Sequence, residues 1–343
     1  MSGVKNLLFS IIIIFAAMSL VTYLVAKNSP DSTVIRIGHD SKENSPLHQA
    51  MLLFEREVEK QSGDEIQVEI YPARQLGGVS ETTEMVQQGN LQMTVGASVL
   101  LTSIVPEFNV LDLFYLFRDL SHAHMALDSA EVGMLLLESM HAKGFHGLGY
   151  MEVGFRNITT NKRPIQSLDD LSGLRIRAAS NPTQIIAWES VGAAPIPLSW
   201  GEIFTSLQQG LINTQESAIY SIYAERFFEA QKYLSLTNHT YTNYVWFSNK
   251  AFWDSLSNSE RQIIRQAALI TIKYQRVLAA QQNRDIITEL EQKGMQINTV
   301  DDDVRAAMKQ RMNGAVYVAL RDKTGHELFD RIVERINAMG AER

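Results

Sequence analysis

Two arginines and one tryptophan are the residues of this chain best placed to do chemistry. In Leu174-Arg175-Ile176-Arg177-Ala178 the side chains alternate. If Leu174, Ile176 and Ala178 face a core, Arg175 and Arg177 share the opposite face. Ligands of open α/β sheets collect at the C-terminal ends of the strands, so Arg177 stands where a ligand would sit. A solvated or ion-paired arginine is the plainer reading. Arg156 follows Gly154-Phe155 and precedes a turn-rich stretch from Asn157 to Pro164. Trp200 follows Pro195 and Pro197 in a loop before a helix. Its indole either caps a core or forms an apolar wall against a ligand.

The usual catalytic patterns are missing. No phosphate loop, HExxH, EF-hand loop or GxSxG elbow occurs, and Gly147-Leu148-Gly149 lacks the third glycine of a dinucleotide site. His122 and His124 are two apart, so on a helix they point to different faces and make a poor metal pair. The absence of cysteine removes disulfides, zinc ribbons, iron–sulfur clusters and thiol nucleophiles. No cofactor and no metal is expected. Single carboxylates leave no motif, so catalysis is not excluded by pattern alone.

The elements that must position these residues belong to a chain of 343 residues, 45% hydrophobic, with a net charge of −7. That length suggests about two domains, and the apolar content is enough for a real core. An acidic chain lacks the basic face that nucleic acid needs, so no nucleic-acid partner is expected. From Leu7 to Ala26 the chain is almost wholly apolar, preceded by Lys5 and followed by Lys27. Residues 1–33 therefore read as a signal peptide or a membrane anchor. The 20-residue run suits a span, and Ala26 suits a cleavage site although Leu24 does not. Cleavage is the expectation. Either way the remainder is exported, carrying 29 basic and 37 acidic residues.

Thr33 to Gly38 reads as a first strand, Pro46 to Gln61 as a helix and Ile66 to Tyr71 as a second strand closed by Pro72. Glu81 to Gly89 reads as a helix and Leu91 to Val95 as a strand, which makes a β-α-β-α-β rhythm of α/β type. The rhythm restarts with the strand Leu174–Ala178 and helices over 182–191 and 201–210. From Asn258 to Lys293 there is no Gly or Pro, and Ser257 with Glu260 has capping-box spacing. Such a helix of about 54 Å either lies across two domains or breaks near Gln281-Gln282-Asn283.

The chain resembles the extracytoplasmic solute-binding subunits of TRAP transporters, the tripartite ATP-independent periplasmic family. The segments that carry the resemblance include Gln75-Leu76-Gly77-Gly78, Gly154-Phe155-Arg156-Asn157-Ile158-Thr159, Asp170-Leu171-Ser172-Gly173-Leu174-Arg175-Ile176-Arg177, Pro197-Leu198-Ser199-Trp200-Gly201-Glu202 and Gln215-Glu216. They occur in the family's order between about Ile35 and Asp301. The resemblance implies an α/β, two-lobed periplasmic-binding-protein fold with a ligand cleft between the lobes and a long helix spanning both. One lobe would comprise 34–153 plus 243–282, and the other 154–242 plus 283–343.

It further implies that Arg177 grips a ligand carboxylate, that Arg156 assists, and that Trp200 walls the site. A guanidinium offers a planar carboxylate two parallel N–H bonds, which lysine cannot reproduce. Where the family commonly has a ligand-touching Asn, this chain has Ser217. Glu81, Tyr241 and His39 complete the expected ligand-binding set. The implied ligand is a small organic-acid anion, a four-carbon dicarboxylate or a sugar acid, and the implied partners are TRAP membrane permease subunits. The implied location is the periplasm, with tethering to the inner membrane through residues 7–26 as a variant. An anchored sensor module and an exported carboxylate-acting enzyme are the alternatives.

Overall fold

The computed structural model describes residues 32–341, so the apolar run at 7–26 lies outside the described residues. Among the described residues no helix is long and apolar enough to cross a membrane.

Strand β1 (Thr33–His39) pairs in parallel with β2 (Ile66–Tyr71) and β3 (Met93–Ala97). The alternation in each strand feeds one core: Ile35, Ile37, Val68 and Val95 pack with Phe54 of the helix Pro46–Ser62. Phe54 meets Trp246 edge-on at 4.6 Å between ring centroids. A second sheet holds β5 (Arg175–Ala178), β6 (Ala194–Pro197) and β7 (Thr214–Ala218), with β5 parallel to both neighbours. Its outer layer buries Ile203, Leu207, Phe227 and Leu234.

One strand ties the sheets together. Strand β4 (Phe145–Thr160) is 16 residues long and changes partner along its length. Through Phe155 it pairs with β9 (Tyr241–Asn249), and from Arg156 onward with β7. From Ile158 it also pairs with β8 (Tyr233–Leu236), which in turn pairs with β10 (Gln296–Thr299). The stretch from Asn157 to Thr160, expected as a turn, is thus strand, because β7 and β8 supply partners on both sides. Near the exchange Gly154 has φ +117°, and a Cβ there would lie 3.2 Å from Asn283 Nδ2 of the crossing helix. Only glycine takes that conformation without strain.

The long helix is continuous from Asn258 to Gln292, with the Ser257/Glu260 capping box in place. No break occurs at Gln281-Gln282-Asn283. It belongs to both lobes, since Ile264, Ala267 and Ile272 join the first core while Ile286 and Leu290 join the second. The helix Asp302–Thr324 packs on both Pro106–Asp112 and Pro182–Ser190. The last helix, His326–Ala341, packs on Leu120–Asp128 and Pro106–Asp112. Residues 283–343 therefore do not all stay with the second lobe. The helix that carries Phe329, Ile332 and Ile336 has its neighbours in first-lobe segments.

Candidate functional site

A cavity of about 450 Å³ lies where the two sheets face each other, bordered by Arg177, Arg156, Trp200, Tyr241 and Glu81. That volume is within the range of small-molecule sites. Five of the seven residues expected from the sequence thus come together.

Arg177 is 5% exposed and near the C-terminal end of β5. Its Nε and Nη2 donate to the Leu198 carbonyl at 3.1 and 3.0 Å. Its guanidinium lies 5.7 Å from the centroid of the Trp200 ring. Of five N–H groups this leaves three, enough for an end-on, two-pronged bond to a carboxylate. Burial, with the neighbouring Arg156 second, lowers its pKa to about 10, so it remains a cation at neutral pH. Among the described residues this buried cation makes no direct ion pair: Glu216, the carboxylate that acts on it, is bonded to Arg156, so Arg177 has no countercharge of its own. An anionic ligand would supply it.

Arg156 is already committed. It ion-pairs through Nε with Glu216, its Nη2 donates to Glu216 Oε1 at 2.8 Å, and Nη1 reaches Thr242 Oγ1 at 3.4 Å. Glu216, on β7, also accepts from His239 Nε2 at 3.1 Å, while His239 Nδ1 accepts from the Thr237 hydroxyl at 2.8 Å. Burial pushes the Glu216 carboxyl up, but the Arg156 charge and the His239 bond overcome it and hold it at about 2. Burial lowers the pKa of His239, so the neutral ring gives Glu216 a hydrogen bond rather than a charge. Arg156 is therefore held rigidly in place at the cavity wall, with its charge balanced by Glu216.

Trp200 opens a short 3₁₀ turn fixed by the Ser199/Glu202 capping box. Its ring packs edge-on against Phe227 at 5.8 Å, and Nε1 donates to Glu225 Oε1 at 3.4 Å. The indole thus borders the cavity and carries Arg177 on its face. Trp200→Phe is expected to keep most ligand affinity and Trp200→Ala to lose about tenfold, roughly 1.4 kcal/mol. Calorimetry on the two variants checks this; equal losses would assign the effect to the indole N–H. Tyr241 borders the cavity and packs edge-on against Phe117 and Phe155.

Two expected residues lie elsewhere, each because of strand parity. His39 is buried on the helix side of β1, its Nε2 3.2 Å from His48 Nδ1, and the next residue, Asp40, borders the cavity instead. Ser217 is buried opposite Asn157 in the sheet, and its neighbour Glu216 faces the cavity.

Sequence reasoning missed several lining residues. Lys42 donates to the Ala224 carbonyl at 2.5 Å and ion-pairs with Glu225 at 3.2 Å. Asp112 accepts from Asn181 Nδ2 at 2.8 Å, and burial raises its carboxyl to about 7. Tyr220 reaches Asn44 at 3.4 Å. These contacts join segments of the two lobes across the cleft, and pairs so distant in sequence have no local signature. Among the described residues no three His, Cys, Asp or Glu side chains are grouped to hold a metal ion.

The family described as bacterial extracellular solute-binding protein, family 7, matches residues 37–321. The 2,3-diketo-L-gulonate-binding periplasmic protein YiaO of Escherichia coli is 33% identical over 77% of this chain and 80% of its own length. Among solved structures, the sugar acid binding protein of Advenella mimigardefordensis in complex with galactonate is 30% identical with a TM-score of 0.85, covering 90% of this chain and 99% of that one. A TRAP periplasmic solute binding protein of Sulfurospirillum deleyianum with bound succinate is 28% identical with a TM-score of 0.81, covering 88% and 98%.

Proposed function

The chain belongs to family 7 of the bacterial extracellular solute-binding proteins, the substrate-binding subunits of TRAP transporters, and on that premise we propose how its cavity works. The protein captures a small organic-acid anion, a four-carbon dicarboxylate or a sugar acid, and delivers it to a TRAP membrane permease. Arg177 takes the carboxylate, Arg156 stands beside it on the cavity wall, and Trp200 and Tyr241 wall the ligand. The observation that carries this reading is a buried guanidinium with three unspent N–H groups facing an open cavity.

Closure follows from the same geometry. Residues 34–153 with 243–282 and residues 154–242 move as the two bodies, bending where β4 exchanges β9 for β7 and around the long helix. The contacts Lys42–Glu225 and Asp112–Asn181 cross the cleft and hold the closed form. The protein works by binding, not by turnover. It acts in the periplasm, and residues 7–26 are removed on export or tether it to the inner membrane.

A thermal-shift screen of the full chain in mild detergent against dicarboxylates, uronates and aldonates tests the reading. An acid at about 100 times its dissociation constant stabilises by roughly 2.7 kcal/mol, a visible rise in melting temperature. No rise with any acid would contradict the proposal.

A further inference from the structure

We infer that the long helix Asn258–Gln292 is an interaction surface through which two copies of this chain pair, antiparallel, about a two-fold axis between Lys273 and Tyr274. No residue of this helix borders the cavity, so the inference does not depend on what the cavity binds.

The first argument is exposure. Nine large hydrophobic side chains are exposed among the described residues, and four of them fall between Leu269 and Val277 of this helix. Leu269, Ile270, Tyr274 and Val277 are between 38% and 69% exposed. The opposite face supplies Ala267, Ile272 and Ile286 to the cores of both lobes. Ile270, Tyr274 and Val277 lie within about 60° of arc, so they form one outward stripe. With Leu269 they present roughly 400 Å² of apolar surface, a size at which a patch marks an interaction site. A standard interface takes about 800 Å² from each partner, somewhat over half of it non-polar. The stripe therefore matches the apolar share of one such interface.

The second argument is what fits the stripe. Gln266-Ala267-Ala268-Leu269-Ile270 is mirrored by Val277-Leu278-Ala279-Ala280-Gln281, with Val in place of Ile. Ala267, Ala268 and Ala279 are buried in the chain's own fold, whereas Gln266, Ile270, Val277 and Gln281 are exposed. In a two-fold antiparallel pair each residue meets the one equally far beyond the axis. Ile270 then packs on the partner's Val277, and Tyr274 on its own counterpart. Gln266 meets the partner's Gln281, and two amides can bond each other. Gln262 meets the partner's Asp285. The one like-charge contact is Lys273 with its counterpart, at the edge of the seam, where both ammonium groups reach water. A parallel pair in register would also set Arg284 and Asp285, both exposed, against themselves. Like charges so placed cost binding, so charge selects the antiparallel pair.

Thiol cross-linking of the full chain in mild detergent tests this. The chain has no cysteine, so each introduced thiol is the only one. A short bismaleimide should link Lys273→Cys to itself. Gln266→Cys alone and Gln281→Cys alone should give less than a tenth of that product, because each sits about 22 Å along the axis from its own counterpart. Mixed together, those two variants should link to each other. Adding Val277→Lys to Lys273→Cys should cut the product at least tenfold and leave the urea midpoint in place. Self-linking of Gln266→Cys as strong as in the mixture would mean parallel or collisional contact and would overturn the inference. So would a Lys273→Cys product that survives Val277→Lys, which would come from association elsewhere, through residues 7–26 for example. A chain that stays monomeric, whether the introduced thiol labels freely or is shielded by another segment, would equally overturn it.

Discussion

Arg177→Ala is expected to weaken organic-acid binding at least tenfold, about 1.4 kcal/mol. The loss could reach roughly 2–5 kcal/mol, because the guanidinium is 5% exposed and a ligand carboxylate would meet it largely without water. Arg177→Lys should recover little of it. An ammonium cannot bond the Leu198 carbonyl through two nitrogens and still present a planar two-pronged face. The fold should survive, since the main structural debt is one carbonyl left without its donor, about 1 kcal/mol. Calorimetry for affinity and urea unfolding for stability separate the two effects. An unaltered affinity in the Ala variant would remove Arg177 from the site.

Glu216→Ala should act in the opposite manner, on the fold first. It leaves Arg156 largely buried without its carboxylate and His239 without its acceptor, which costs about 3–5 kcal/mol. The native protein carries the same information in its acid limb. The Glu216 carboxyl titrates at about 2 in the fold against an ordinary value of 4.5. Its lowered pKa contributes about 3 kcal/mol above the ordinary value, and that contribution is lost as pH falls from there toward 2. Glu216→Gln should be weaker at pH 7 and should flatten this part of the pH–stability curve. Urea midpoints between pH 3 and 7 check it, and parallel curves for the two proteins would contradict the assignment.

Much of the fold could be read in the chain because local physics and tertiary context agree there. Ile66 to Tyr71 alternates and stops at a proline, and Ser257 with Glu260 forms the capping box that its spacing predicts. Strand β4 was hidden by its glycines. Gly147, Gly149 and Gly154 look like turns, yet they flank the irregularities that let one strand serve two sheets. The site was legible by position more than by direction. The run from Thr33 to Gly38 located β1 and the segment Gln215-Glu216 marked the site's far wall, but strand parity puts Asp40 and Glu216 at the cavity and turns His39 and Ser217 away. The pair Lys42–Glu225 exists only because the cleft brings its members together.

The most direct test is calorimetric titration of the full chain with organic acids alongside their primary amides, gluconate with gluconamide and succinate with succinamide. Each amide keeps the shape of its acid and removes the charge that Arg177 is there to meet. At least one acid should bind, and its amide should bind at least tenfold more weakly. An amide that binds as well as its acid would contradict the claim that this cavity recognises a carboxylate.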